Sequence, residues 1–167
     1  MNHYTETYNS PIGLIVIESD GQALTGLRFC DEEPSVAKTT YSEAELIRIN
    51  AETTTSMPPI FAEVIRWLDD YFAGRRPCNV SRLNTKGTAF QKRVWAALFT
   101  IWYGQTKTYG EIAEMVGCKS AQAVGQAIGR NPIALIIPCH RVVGVNGKLG
   151  GYAYGNELKR KLLELEK

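Results

Sequence analysis

What the chain lacks narrows its class first. No run in its 167 residues approaches the roughly 18 apolar residues that a membrane-spanning helix needs. The start, Met1 to Ser10, is without the basic-then-apolar pattern of a secretory leader. Cysteine is sparse: Cys30, Cys78, Cys118 and Cys139 stand far apart and form no CxxC pair, which argues against a disulfide framework and against a zinc ribbon. His3 and these scattered cysteines do not reproduce a ligand set, so no metal is expected. Free thiols point to a reducing, cytoplasmic setting, with no membrane partner. Neither an internal repeat nor a low-complexity segment is present.

What remains fits a globular, core-forming protein of one domain or two small ones, with 44% hydrophobic and 22% charged residues. The formal net charge of +2 conceals two unlike halves. Residues 1–84 hold 7 Lys/Arg against 12 Asp/Glu, a balance of −5; residues 85–167 hold 12 against 5, a balance of +7. A polyanion would engage the C-terminal half, although a merely solvated basic face is the simpler reading of charge alone.

The N-terminal third reads as a small antiparallel meander. Tyr4 to Tyr8, Leu14 to Glu18 and Leu24 to Phe29 are short runs rich in β-branched and aromatic residues, punctuated by Pro11-Ile12-Gly13 and Asp20-Gly21. A short helix is expected around Ser42 to Ile49. Pro58-Pro59 opens a clearer one, on which Phe61, Val64, Ile65, Leu68, Tyr71 and Phe72 form a core stripe until Gly74. A boundary in residues 74–87 would divide the chain into domains 1–84 and 85–167.

Thr88 can cap a helix carrying Phe90, Val94, Trp95, Leu98 and Phe99 on one face. Thr108 and Glu111 have capping-box spacing at the start of a helix over Tyr109 to Val116, which Gly117 ends. A further helix from Ser120 to about Gly129 completes a helix-turn-helix pattern. Ile133 to Ile137 reads as a buried strand, and Asn146-Gly147 as a hairpin turn between Val142-Val143 and Leu149. Three helices and a hairpin describe a winged helix. A last amphipathic helix over Asn156 to Glu166 should bury Leu158, Leu162 and Leu165.

The chemistry is concentrated in Pro138-Cys139-His140-Arg141. A thiol attacks as its thiolate, and an ordinary cysteine pKa of about 8.5 leaves only a few per cent ionised at neutral pH. His140 can take that proton, directly or through a water, and a carboxylate can fix its tautomer. Neighbouring side chains on a strand point oppositely, so the pair needs a turn, which Pro138 favours. Taken alone, such a dipeptide is more often structural than catalytic.

Its surroundings change that balance. The segment Asn131-Pro132-Ile133-Ala134-Leu135-Ile136-Ile137-Pro138-Cys139-His140-Arg141-Val142-Val143-Gly144 closely resembles the active-site segment of the O6-alkylguanine-DNA alkyltransferases, also called methylated-DNA–protein-cysteine methyltransferases. Ser10-Pro11-Ile12-Gly13, Gly87-Thr88-Ala89-Phe90-Gln91-Lys92-Arg93-Val94-Trp95, Thr108-Tyr109-Gly110-Glu111-Ile112-Ala113, Ala123-Val124-Gly125 and Gly150-Gly151-Tyr152-Ala153 match in order and spacing. The resemblance is strong from residue 87 onward and looser before it. It implies an α/β chain: an N-terminal ribonuclease H-like α/β domain followed by a C-terminal winged helix-turn-helix domain.

The resemblance also implies a partner and a reaction. The partner is double-stranded DNA containing O6-alkylguanine, with O4-alkylthymine as a second candidate lesion. The lesion is flipped out from the minor-groove side and met by a monomer without a cofactor. Cys139 would attack the O6-alkyl carbon, with His140 as base through a water and Glu166 as the acid behind it. Asn131 would brace the active-site turn, and Tyr109 would assist departure of the guanine and crowd the phosphate. Tyr152 and backbone groups around Val142 and Gly150 would build the base pocket, with Lys159 near the lesion or its backbone. The product is a thioether without an activated leaving group, so transfer would be irreversible and one protein would repair one lesion.

Three positions depart from the family's pattern. Gln122 stands where an arginine usually enters the base stack, which predicts weaker binding or slower flipping; Arg130 could add charge nearby. Trp102-Tyr103-Gly104 replaces Pro-Tyr-Gly, and Tyr154 replaces a glycine beside the pocket, where it would disfavour bulky alkyl groups. The alternative reading, a lesion-binding module with impaired chemistry, is opposed by Cys139. A winged-helix regulator would have no use for Asn131, Cys139, His140 and Glu166 together.

Overall fold

The computed structural model describes residues 2–30 and 57–167. The helix expected around Ser42 to Ile49 lies outside the described residues. Strands β1 (Tyr4–Ser10), β2 (Gly13–Ser19) and β3 (Leu24–Cys30) form the antiparallel meander, in that order. At the first turn the Ser10 hydroxyl donates to the Gly13 carbonyl at 2.5 Å. Ile15, Ile17, Leu24, Leu27 and Phe29 enter the core, as do Phe61, Val64, Leu68 and Tyr71 of α1 (Pro59–Phe72). Proline in the first turn suits α1 because it lacks an N–H that no helical carbonyl could accept there; Gly74, at φ +73°, takes the left-handed geometry that stops it.

The outer edge of β3 is covered by later parts of the chain. Leu24 bridges to Leu83, and Leu27 bridges to Ile133, both in parallel sense. The Leu27 N–H donates to the Pro132 carbonyl at 2.9 Å, and the Leu27 carbonyl accepts from the Ala134 N–H at 2.8 Å. The N-terminal sheet thereby fixes the segment that leads into Cys139.

The second half begins with α2 (Ala89–Leu98), opened by a full capping box between Thr88 and Gln91. Val94, Trp95 and Leu98 are buried and the Trp95 indole donates to the Ala127 carbonyl at 2.9 Å, while Phe99 lies off the buried face at 44% exposure. The Thr108–Glu111 capping box opens α3 (Tyr109–Met115); Gly117, at φ +67°, makes the turn, and Ser120 caps α4 (Ala121–Gly129). Two short strands, β4 (Lys107–Thr108) and β5 (Val142–Val143), pair in parallel. The last helix, α5 (Asn156–Leu165), buries Leu162 fully but Leu158 and Leu165 only in part.

Two expectations are corrected. Ile133 to Ile137 is buried throughout but is not a strand. Leu135 has φ +65°, and backbone bonds such as Ile137 N–H to the Ile133 carbonyl (3.0 Å) close the segment on itself. A short apolar run reports burial, not its backbone path. The Asn146-Gly147 turn does form, with φ +59° and +73°, but no hairpin ladder flanks it. Val142-Val143 pairs with β4, and the Leu149 carbonyl accepts from Lys159.

Leu27 sits fully buried where sheet and active-site segment join. Leu27→Ala should cost about 3 kcal/mol, as cavity-forming core truncations do, measured by urea denaturation.

Candidate active site

Pro138 leads into a 3-10 turn over Cys139–Arg141, and all three side chains of that turn are buried. The turn is what Cys139 and His140 require in order to share a site, since a strand would have turned them apart. Asn131 braces it from below: its amide donates to the Ile137 carbonyl at 2.8 Å, and its carbonyl oxygen accepts from the Ile133 N–H at 3.0 Å. Burial pushes the Cys139 thiol above its ordinary pKa, while a hydrogen bond from Asn131 and the charge of Lys159 act the other way. At rest the sulfur is therefore a protonated thiol.

Glu166, just past the end of α5, meets the turn from the opposite side. Its Oε1 lies 2.6 Å from His140 Nε2 and accepts from Tyr71 Oη at 2.7 Å and from Arg141 at 3.1 Å. Its Oε2 accepts from Arg141 Nε at 2.8 Å and from the Gly104 N–H at 3.2 Å. Burial alone would raise the carboxyl pKa; the hydrogen bond of His140 and the hydrogen bond and charge of Arg141 outweigh it and hold Glu166 down at about 2. Burial pushes His140 below its usual pKa, against the pull of Glu166. The ring is thus neutral, with its proton on Nε2 facing an ionised carboxylate. That leaves Nδ1, buried and without a hydrogen-bond partner among the described residues, as the ring's acceptor.

Cys139 also lines a cavity of about 540 Å³, together with Tyr109, Gln122, Asn131, Tyr152 and Tyr154. The Tyr109 hydroxyl donates to the Gly151 carbonyl at 3.1 Å. Tyr152 packs edge-on against Tyr154, which meets Phe29 of β3 in the same way, both with ring centroids 5.5 Å apart. The Tyr152 hydroxyl is buried and faces the Cys139 sulfur. Gly150, at φ +67°, lets the chain pass so close to Tyr109 that a β-carbon there would lie 2.9 Å from its ring.

Lys159 is not on the cavity wall but fully buried beneath it. Its ammonium donates to the carbonyls of Val142 (2.5 Å), Leu149 and Gly151 (3.4 Å), and burial lowers its pKa to about 8. The Val142 carbonyl is thus committed to Lys159. Gln122 is exposed on the α4 side of the cavity; Arg130, exposed at the C-terminal end of α4, is not part of its lining. Two members of the site carry no role in the sequence reading. Arg141 has a detectable signal, a charge between two apolar runs that needs a counter-ion. Tyr71 has only a faint one, a hydroxyl on an otherwise apolar stripe. Among the described residues, no group of three or more His, Cys, Asp or Glu could hold a metal ion.

The arrangement is a thiol on the wall of a cavity of about 540 Å³, followed in the same turn by a histidine whose Nε2 is held by an ionised carboxylate. Comparison with known proteins agrees in both halves. Residues 3–84 match the family model for the 6-O-methylguanine DNA methyltransferase ribonuclease-like domain, and residues 89–167 match that for its DNA-binding domain. The methylated-DNA–protein-cysteine methyltransferase of Mycobacterium tuberculosis is 44% identical over 168 residues, covering 100% of this chain and 93% of the relative. That of Methanosarcina acetivorans is 42% identical, covering 98% and 97%. The crystal structure of the M. tuberculosis protein in complex with DNA superposes with a TM-score of 0.78 at 44% identity, over 98% of this chain and 92% of that one. With both domains matched and more than nine tenths of each relative covered, the chain belongs to the methylated-DNA–protein-cysteine methyltransferase family.

Proposed function

We infer that the chain repairs DNA by direct reversal, moving the alkyl group of O6-alkylguanine irreversibly to Cys139. The observation that carries this reading is the buried Cys139 thiol, set at a cavity beside the His140–Glu166 pair. A base inside a duplex is out of reach of such a thiol, so the nucleotide must first be extruded, at a cost of a few kcal/mol. The C-terminal half, at +7, faces the phosphates and offsets part of that cost. Residues 1–84 and 85–167 act as the two domains of this work, and the protein acts as a monomer in the cytoplasm.

As the thiolate forms, the thiol proton passes to His140 Nδ1, directly or through a water, and Glu166 stabilises the imidazolium. The sulfur attacks the alkyl carbon in line, an S–C bond forms and the C–O6 bond breaks, leaving its electron pair on the guanine. Tyr109 donates a hydrogen bond or a proton to the departing base; burial raises its pKa, with the Cys139 charge second, so it stays protonated. Tyr152 packs the base, and Asn131 keeps the turn in place. Lys159 contributes by holding the carbonyls around the pocket floor. The product thioether offers no leaving group, so each molecule acts once. Tyr154 crowds the cavity and favours small alkyl groups. A lesion-sensing role without chemistry is not favoured: Cys139 is present, and the His140–Glu166 contact at 2.6 Å supports its use as a nucleophile.

Mixing the protein with a duplex carrying one O6-methylguanine should add about one methylene mass, ~14 Da, at Cys139 and saturate at one per molecule by intact-mass spectrometry and peptide mapping. Cys139→Ala should abolish the gain while retaining fold and lesion binding; transfer by that variant would reject the assignment. Gln122→Arg should lower the Kd for duplex DNA roughly threefold to tenfold at moderate salt, by titration with labelled DNA; unchanged affinity would remove Gln122 from the stacking position. Glu166→Gln leaves Arg141 buried without its counter-charge and should cost about 3 kcal/mol at pH 7. Because the folded-state pKa of Glu166 is depressed to about 2 from 4.5, the contribution it makes is complete above 4.5 and lost as pH falls toward 2. The stability gap between parent and variant should close over that window in acid-dependent denaturation.

A further inference from the structure

We propose that Tyr71 is a positioning residue of the alkyl-transfer site, its hydroxyl holding Glu166 on His140 so that the imidazole keeps Nδ1 free for the thiol proton. This role presupposes the alkyl-transfer reading above and gives the N-terminal helix a part in it. Tyr71 is fully buried on α1, and its hydroxyl donates at 2.7 Å to the same oxygen, Glu166 Oε1, that lies 2.6 Å from His140 Nε2. Its oxygen is 3.4 Å from that nitrogen. The ring cannot drift: it stacks on Trp67 at 5.3 Å and meets Phe72, Tyr103 and His140 edge-on at 5.2, 5.9 and 6.4 Å.

The geometry makes Tyr71 a competitor of His140 for one carboxylate oxygen. A phenol that donates to a carboxylate withdraws negative charge from it, so Glu166 stabilises the imidazolium less than a free carboxylate would. Removing the hydroxyl returns that charge to Oε1 and makes His140 more basic. The other ionisable groups around His140 do not change: Arg141 and Cys139 in its own turn, Lys159 on α5, and Tyr103 from the loop after α2. Tyr71 therefore sets the basicity of His140 as well as the position of Glu166.

The test is NMR titration of the His140 ring in the full chain, in parallel with the pH dependence of methyl transfer. The chain has 2 histidines, and the other, His3, is exposed, so their ring signals are separable. Tyr71→Phe keeps the packing and removes only the hydroxyl. It should raise the His140 midpoint by about half a unit or more and carry the acid limb of methyl transfer upward with it, leaving lesion-DNA affinity unchanged. Site-specific 3-fluorotyrosine at position 71, a stronger donor of nearly the same shape, should move both downward, and it serves if Tyr71→Phe does not fold. An unchanged midpoint, with transfer slowed equally at every pH, would reduce Tyr71 to packing and overturn the proposal. Failure of the parent chain to take up a methyl group would instead overturn the function, and because the ring titration needs no methyl transfer, the two failures are distinguishable.

Discussion

The Glu166 carboxylate accepts from Tyr71 on α1, from the Gly104 amide in the loop before β4, and from His140 and Arg141 in the nucleophile's own turn. Buried carboxylates are costly unless they are paired and fully hydrogen-bonded, and this one meets both conditions through groups far apart in sequence. Each partner is in turn fixed by something else. Arg141 also donates to the Ile101 carbonyl at 2.8 Å, and Gly104 approaches the chain at Glu166 so closely that a β-carbon would lie 2.8 Å from its carbonyl oxygen. The site is thus held from α1, from the loop at Gly104 and from the turn over Cys139–Arg141, and in the proposed reaction the end of α5 takes part beside the cysteine.

A second, smaller anchor lies under the pocket. Lys159 gathers carbonyls from β5, from the loop after Asn146-Gly147 and from the segment before Tyr152. A cation buried among carbonyls does for loops what a ladder does for strands: it satisfies backbone oxygens that would otherwise face an apolar interior. This explains why the segment needs no hairpin. Three of its backbone oxygens, those of Val142, Leu149 and Gly151, are met by one ammonium.

Much of this was legible in the sequence where the physics is local. Thr108 with Glu111, Ser120 and the Pro59–Phe72 helix announce themselves through groups a few residues apart, and the structure places each as read. Asn131, Cys139, His140 and Glu166 came together through the resemblance, since no spacing rule links positions 131 and 166. What escaped depends on tertiary contacts. The run from Ile133 to Ile137 has the composition of a strand, yet Leu135 takes a positive φ because the segment must turn after its bridge to Leu27. Tyr71 sits on a stripe indistinguishable from ordinary core, and only its distance to Glu166 gives it a role. Lys159 is put near the lesion or its backbone by the resemblance alone, because nothing in its sequence neighbours announces the three carbonyls that it holds.

The burial of Cys139 has a consequence for the idle protein. Peroxide and small electrophiles react with thiolates that they can reach; Cys139 is nearly enclosed, and burial pushes its thiol up, so such reagents meet a smaller thiolate fraction through one cavity. Exposed Cys78 meets such reagents first. For a protein proposed to act once, this resistance decides how long an unused molecule stays usable. The same packing that slows the sulfur toward reagents in solution leaves the cavity as its approach, which is where the proposed reaction delivers its electrophile.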